Sequence, residues 1–263
     1  MRLVEKVWGK DVLPPPFTAP RGQRIGEVWF EPPVGCERLL VKYIFAGESL
    51  SVQLHPSDAQ SLAAGLGRSG KEECWLVIDA EPGAALAVGF SRPVDTATMR
   101  AAALDGSIEQ LLAWHAVRAG DFIYLPANTV HAIGAGVSLV EIQQNSDVTW
   151  RLYDYGRGRE LHLDAGLAVA SGRPHDPALR RHLPDAGHVH LVEGPFFRLD
   201  RLDGPPDAAT SARYRGALLV VPLTGTIAVA GEAIAPGGCA LAPSLGAVAV
   251  PAGSQCLVTQ PVT

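Results

Sequence analysis

The segment 119–143, AGDFIYLPANTVHAIGAGVSLVEIQ, lies over the segment 236–260, PGGCALAPSLGAVAVPAGSQCLVTQ, without a gap. The matches fall largely at turn residues: Gly120 with Gly237, Pro126 with Pro243, Gly136 with Gly253, and Gln143 with Gln260 at the end. Self-similarity of this kind implies two related β units in one chain, and 263 residues suffice for one large or two modest domains. In the same register His131 falls on Val248 and Glu141 on Val258. The polar residues of the first copy are apolar in the second, so any chemistry belongs to the first.

The runs EVWF (27–30), RLLVKYIF (38–45), SLSVQLHP (49–56) and CWLVIDA (74–80) are rich in Val, Leu, Ile and aromatic residues and read as strands. GDFIYLP and GVSLVEIQ follow in the same style. With 28 Gly and 21 Pro and only 19% charged residues, the composition fits many short strands joined by tight turns. Helical spacing occurs in SDAQSLAAGLG after Ser57 and in DTATMRAAALDGSIEQLLAWHAV from Asp95, as insertions into a β framework. The expected class is all-β: a first domain over 1–190 carrying a small helical insertion, and a small second β domain over 191–263, with the boundary near Leu191.

A net charge of -5 gives no footprint for a phosphate backbone, which argues against nucleic acid as a partner. Cys36, Cys74, Cys239 and Cys256 form no C-x-x-C pair, so neither a disulfide framework nor a thiolate metal site is expected. The N-terminal MRLVEKVWGKDVLPPPF lacks the apolar core of a secretory leader, and a cytoplasmic location is expected. From Gly216 onward Glu232 is the sole charged residue, but Pro222, Pro236, Pro243, Pro251 and Pro261 break the stretch into pieces too short to span a bilayer.

In LSVQLHP the side chains of a strand alternate: Leu50, Val52 and Leu54 on one face, Ser51, Gln53 and His55 on the other. Such a face either meets solvent or lines a polar cavity. Glu73, at the entrance of a strand, and His131, after the turn PANT, occupy comparable contexts. Gln53, His55, Glu73 and His131 together make a mixed nitrogen and oxygen set suited to Zn²⁺. Glu73 also fits a solvated charge beside Lys71, and His131 a hydrogen-bonded turn residue.

The series VWG, IGEVW, LLVKYIF, LSVQLHPSD, GKEECW, LPANTVHAIG and VEIQQNSDVTWRLYDYGR, in this order, resembles type I mannose-6-phosphate isomerase in its shorter bacterial branch. The resemblance covers about 6–165 and implies a double cupin: two jelly-roll-like β-barrel units, one zinc ion per chain inside the first barrel, and a helical insertion. It places the metal ligands on Gln53, His55, Glu73 and His131, a catalytic arginine on Arg151, and phosphate contacts on Ser51, Lys42 and Arg157. Glu72 and Cys74 depart from the family pattern, and HDPALRRHLPDAGHVHLVEG matches no motif.

An aldose–ketose isomerase must move a proton between C1 and C2 of an open-chain sugar phosphate and stabilise an enediol. Glu141 and Lys71 are the candidates for proton transfer. Glu141 stands between Val140 and Ile142 in a barrel strand, where desolvation would raise its pKa. The resemblance implies interconversion of mannose 6-phosphate and fructose 6-phosphate, with a sugar-phosphate partner, no membrane partner and a monomer or homodimer. The competing readings are a non-catalytic sugar-binding cupin and an isomerase of another sugar. The apolar second unit is expected to have a filled, metal-free interior and to pack on the first unit or on a second copy.

Overall fold

The structure is a computed structural model that describes residues 1–262. Its first strands are β1 (Arg2–Lys10), β2 (Ile25–Phe30), β3 (Leu39–Phe45) and β4 (Val52–Leu54), followed by helix α1 (Asp58–Ala63). Strands β5 (Glu73–Ala80) and β6 (Ala85–Phe90) lead into helices α2 (Thr96–Asp105) and α3 (Ile108–Leu111). Then come β7 (Leu112–Ala116), β8 (Asp121–Leu125), β9 (His131–Ile133), β10 (Val137–Gln144) and β11 (Trp150–Tyr153). Helix α4 (Leu163–Leu167) and strand β12 (Arg180–His182) precede β13 (Val189–Glu193) and β14 (Phe197–Asp203). The rest is α5 (Ala208–Arg213), β15 (Leu218–Thr224), β16 (Ile227–Val229), β17 (Glu232–Ile234), β18 (Ala240–Ala242), β19 (Val248–Ala249) and β20 (Gln255–Pro261).

These strands form antiparallel sheets in two matching pairs. The first pair has the orders β1-β2-β3-β10-β5-β8-β12 and β11-β4-β9-β6-β7; the second has β13-β14-β20-β15-β18 and β17-β16-β19. The run β2-β3-β10-β5-β8 therefore recurs as β13-β14-β20-β15-β18, and β9-β6-β7 recurs as β19-β16-β17. This is the repeat read from the sequence, now visible as topology. The matched glycines explain why it could be seen there: Gly120 (φ 91°) and Gly237 (φ 86°), like Gly136 (φ 82°) and Gly253 (φ 78°), occupy the left-handed region that other residues avoid. The all-β class with a small helical insertion is what the chain adopts.

The insertion has a definite address. Between β6 and β7 lie α2 and α3, whereas the equivalent strands β16 and β17 are joined by Ala230 (φ 49°) and Gly231 (φ 87°), a two-residue hairpin turn with both φ angles positive. Asp95 caps α2 by accepting from the Thr98 amide, and Gly106 (φ 84°) ends it. The helical expectation for Asp95 onward holds only to Leu111. LAWHA is strand β7 instead, because its backbone pairs with β6 through Ala85–Ala116, Leu86–His115 and Ala87–Trp114; tertiary pairing overrides the helical spacing.

Layers follow from the faces. Val52, Leu54, Ala87 and Phe90 on the outside of the smaller sheet pack under Met99, Ala102 and Ile108 of the insertion. Trp75, Val77, Leu139, Ile123, Leu86 and Val88 fill the space between the two sheets of the first pair. Leu50 belongs to this inner cluster and not to the face of Val52 and Leu54, since regular strand geometry starts only at Val52. The outer face of the large sheet, with Val41, Tyr43, Leu76, Phe122, Val140 and Ile142, stacks on Phe197, Leu199, Leu219, Val221 and Leu257 of the second pair. The apolar outer face anticipated for the C-terminal region is thus spent against the first unit. The second pair encloses Leu218, Val220, Ile227, Val248, Cys256 and Val258 as a filled core. No helix among the described residues is long and apolar enough to cross a membrane.

Candidate metal centre and active site

Cross-strand register places the polar residues. Lys42 pairs with Glu141 and Glu141 with Trp75, so these three side chains form one row on the inner face of the large sheet. Gln143 pairs with Glu73 in the next row. On the facing sheet Arg151 pairs with Gln53 and Gln53 with His131. The two rows bracket an interior in which Glu73 is fully buried and His55, Lys71, His131, Glu141 and Lys42 are nearly so. Charged groups survive such burial only when paired or bound to a cation. In the second pair the residues in register with Glu141, Trp75 and Glu73 are Val258, Val220 and Leu218, through the equivalences β10 to β20 and β5 to β15, and that interior is apolar.

His55, Glu73 and His131 each offer a ligand atom, all within 4.8 Å of one another. Glu73 Oε1 lies 3.5 Å from both His55 Nε2 and His131 Nε2 and has no hydrogen-bond partner. Each imidazole has its other nitrogen held by a backbone carbonyl: His55 Nδ1 by Val148 O at 2.8 Å and His131 Nδ1 by Thr129 O at 2.9 Å. A proton on Nδ1 leaves the Nε2 lone pairs aimed inward, the arrangement that second-shell carbonyls impose on ligating histidines. Burial, with a contribution from neighbouring His55, pushes His131 down to about 3 although Glu73 opposes this, so its ring is neutral and able to ligate. The donor set therefore fits a divalent metal of the zinc class.

Gln53 stands beside this group on the neighbouring strand. Its Nε2 lies 3.5 Å from His131 Nε2 while its Oε1 accepts from Ser51 Oγ at 2.8 Å. Rotating the amide by half a turn would aim the oxygen at the metal position and leave the nitrogen donating to Ser51, the sort of exchange that amide geometry permits. Lys71 approaches from the other side, with Nζ 2.6 Å from Glu73 Oε2 and 3.1 Å from His55 Nε2. Burial lowers Glu73's affinity for charge, but Lys71 and the histidines outweigh it and hold the carboxyl well below its usual range.

Glu141 differs from Glu73 in the opposite direction. Desolvation, reinforced by the negative Glu73, pushes it up to about 7 against the pull of Lys71 and Lys42. One oxygen, Oε2, accepts from Trp75 Nε1 at 2.9 Å. The other, Oε1, is 3.6 Å from Lys71 Nζ and 3.7 Å from Lys42 Nζ and accepts no hydrogen bond. Burial alone would lower Lys71, but Glu141 and Glu73 more than compensate, so its ammonium stays protonated.

Lys42, Ser51, Gln53, Lys71, Glu141 and Arg151 all line one cavity, which opens past Lys6, Asp147, Thr149 and Arg159. Burial and the adjacent Arg159 lower the pKa of Arg151. Arg157 stands off that wall: its guanidinium donates to Ser49 O at 2.8 Å and to Asp154 O at 3.2 Å. Arg159 lines the cavity in its place, gripped by Asp154. Sequence reasoning missed Arg159, Trp75 and Glu27, which all line the cavity. Trp75 carried a signal, since it lies two residues from Glu73 on one strand and so on the same face; Arg159 sits in a loop whose course no periodicity reveals.

No protein-family model matches the chain. A curated mannose-6-phosphate isomerase of Streptococcus mutans is 37% identical over 198 residues, 71% of this chain and 61% of that protein. The chain thus aligns with about three fifths of that relative's length. Among solved structures, mannose 6-phosphate isomerase from Bacillus subtilis superposes with a TM-score of 0.77 at 21% identity, covering 98% of this chain and 97% of that one. A mannose 6-phosphate isomerase bound with zinc and yttrium superposes with a TM-score of 0.72 at 14% identity, covering 100% and 98%. The fold is that of these solved isomerases.

Proposed function

We propose that the chain is a zinc-dependent aldose–ketose isomerase interconverting mannose 6-phosphate and fructose 6-phosphate. The observation that carries this is a division of buried groups in space: His55, Glu73 and His131 gather ligand atoms within 4.8 Å of one another, while Glu141, with Lys71 and Arg151, stands at the cavity wall. Groups separated in this way divide metal binding from proton transfer. The names of the aligned relative and of the solved structures support the same substrate.

His55, Glu73, His131 and Gln53 would hold the metal. A bound zinc ion would supply a Lewis acid for substrate oxygens. Glu141 is the proton carrier in preference to Lys71, because it can exchange a proton near neutral pH whereas Lys71 remains an ammonium. Glu141 takes the proton from C2 of the open-chain aldose and returns it at C1, while the O2 hydroxyl proton passes to O1 as the enediol forms and collapses. The ammonium of Lys71 and the guanidinium of Arg151 face the oxygens that gain charge in the enediol. Lys42, 3.7 Å from Glu141, serves the reacting end with it; Ser51 orients Gln53 and contacts substrate from the cavity wall. Arg157 acts on the substrate's remote end through the Ser49 backbone it supports. The catalytic residues all precede β13, whose start at Val189 puts the boundary expected near Leu191 inside a strand of the second unit, and the second pair of sheets serves as a metal-free supporting unit.

A coupled assay with mannose 6-phosphate tests the reading, and a protein that binds the sugar phosphate without turning it over would be a sensor instead. Two substitutions divide catalysis from binding. Arg151→Ala is expected to lower kcat by about 10²- to 10³-fold with zinc retained, the loss typical of a transition-state contact. Arg157→Ala is expected to raise KM with little change in kcat. Equal and small effects would remove the catalytic role of Arg151.

A further inference from the structure

Glu141 has two oxygens in different surroundings, and a single side chain creates the difference. Trp75 is 1% exposed, and its indole Nε1 donates to Glu141 Oε2 at 2.9 Å. The same ring meets His131 edge-on, with centroids 5.3 Å apart and planes at 81°. Oε1 is left buried without a hydrogen bond, 3.6 Å from Lys71 Nζ and 3.7 Å from Lys42 Nζ, on a side chain that lines the cavity. In the second pair of sheets the corresponding residues are Val258 and Val220, which simply pack. A second indole–carboxylate pair, Trp29 Nε1 donating to Glu27 Oε2 at 2.7 Å, also borders this cavity.

We propose that Trp75 is a positioning residue for proton transfer: its N–H fixes Oε2 of Glu141, so that Oε1 alone is presented to the substrate. A carboxylate on a free side chain can rotate and offer either oxygen in many directions; one pinned by a fixed donor offers one oxygen along one line, and geometry of this precision is worth orders of magnitude in rate. The indole is well suited to the task, because it is a donor only and cannot compete for the proton. Its hydrogen bond also favours the ionised carboxylate, opposing the desolvation that raises it. The inference rests on the isomerase reading for the identity of the step, but the hydrogen bond does not.

The test compares zinc-loaded wild type with Trp75→Phe, Glu141→Gln and the double variant. Trp75→Phe keeps an aromatic edge beside His131 and removes the donor. It is expected to lower kcat by roughly 10- to 100-fold, the factor that follows from losing one charge-assisted hydrogen bond, with KM and zinc content unchanged. The acid limb of its kcat profile should move to higher pH. In the Glu141→Gln background the same change should cost nothing further. Loss of zinc in Trp75→Phe, or a kcat and pH profile like those of wild type, would overturn the proposal. A measurement on the intact chain covers a variant that fails to fold. Of the five Trp indole N–H resonances, the one that donates to Glu141 should sit downfield in wild type and move upfield in Glu141→Gln; if none moves, the proposal fails. Wild type that shows this hydrogen-bonded resonance yet leaves mannose 6-phosphate unchanged would sink the isomerase reading and leave the indole–carboxylate pair standing.

Discussion

A chain ending after His190 is expected to be recovered as aggregate, even though His55, Glu73, His131, Glu141 and Arg151 all remain in it. The reason lies on the outer face of the seven-stranded sheet. Val41, Tyr43, Leu76, Phe122, Val140 and Ile142 are buried there against Val192, Phe197, Leu199, Leu219, Val221 and Leu257. Removing the second set uncovers the first. At about 1.5–3 kcal/mol for each large apolar side chain, the six lost partners represent on the order of 10 kcal/mol, which matches the whole stability of an ordinary domain. The exposed apolar face would also be continuous, and a surface of this kind drives association. Sedimentation and a soluble-fraction assay of the fragment decide the matter. Soluble, monomeric fragment with full zinc content and undiminished turnover would show that the second pair of sheets is dispensable.

Removing the metal should be as severe for activity and mild for structure. Chelation is expected to reduce turnover of mannose 6-phosphate below detection and added zinc to restore it, while far-ultraviolet circular dichroism stays constant throughout. The fold should persist because Lys71, 2.6 Å from Glu73 Oε2, still pairs with the carboxylate when no cation is bound, so chelation strands no isolated buried charge. His131→Ala is expected to bind zinc at least ~10²-fold more weakly, since even a second-shell change costs 10- to 100-fold. Replacing Glu73 is a poorer experiment: it would leave the buried Lys71 ammonium unpaired, and destabilisation would confuse the result. Full zinc occupancy in His131→Ala, or activity indifferent to a strong chelator, would remove the site.

Much of this architecture was legible in the sequence, for identifiable reasons. LLVKYIF is apolar at nearly every position because β3 is buried on both faces, one toward the site and one toward the second pair of sheets; Lys42 stands out in it because it points at Glu141. The repeat was visible through glycines whose positive φ angles the turns require in both copies. His55, Glu73 and His131 were found as single residues in strand contexts, and the structure brings all three together. LAWHA escaped because a helical spacing of Ala and Leu does not reveal the pairing with β6 that makes it a strand. The face of Leu50 was misjudged because alternation presupposes a strand, and the strand begins at Val52. The exchange of Arg157 for Arg159 at the cavity wall depends on how the loop after β11 wraps Asp154, which is a matter of tertiary packing.

The placement of β10 and β20 bears on how the chain emerges from a ribosome. Each is a middle strand: β10 (Val137–Gln144) lies between β3 and β5, and β20 (Gln255–Pro261) lies between β14 and β15. Neither large sheet can join its two halves until that strand has been made. The first large sheet can close once residue 144 has cleared the exit tunnel, whereas its outer apolar face must wait for β20 before the cover is complete. Once residue 159 has followed, a nascent chain carries all the residues that line the polar cavity and an unfinished exterior. A shortage of holding chaperones while the stretch between these strands is synthesised is therefore expected to lower the soluble yield.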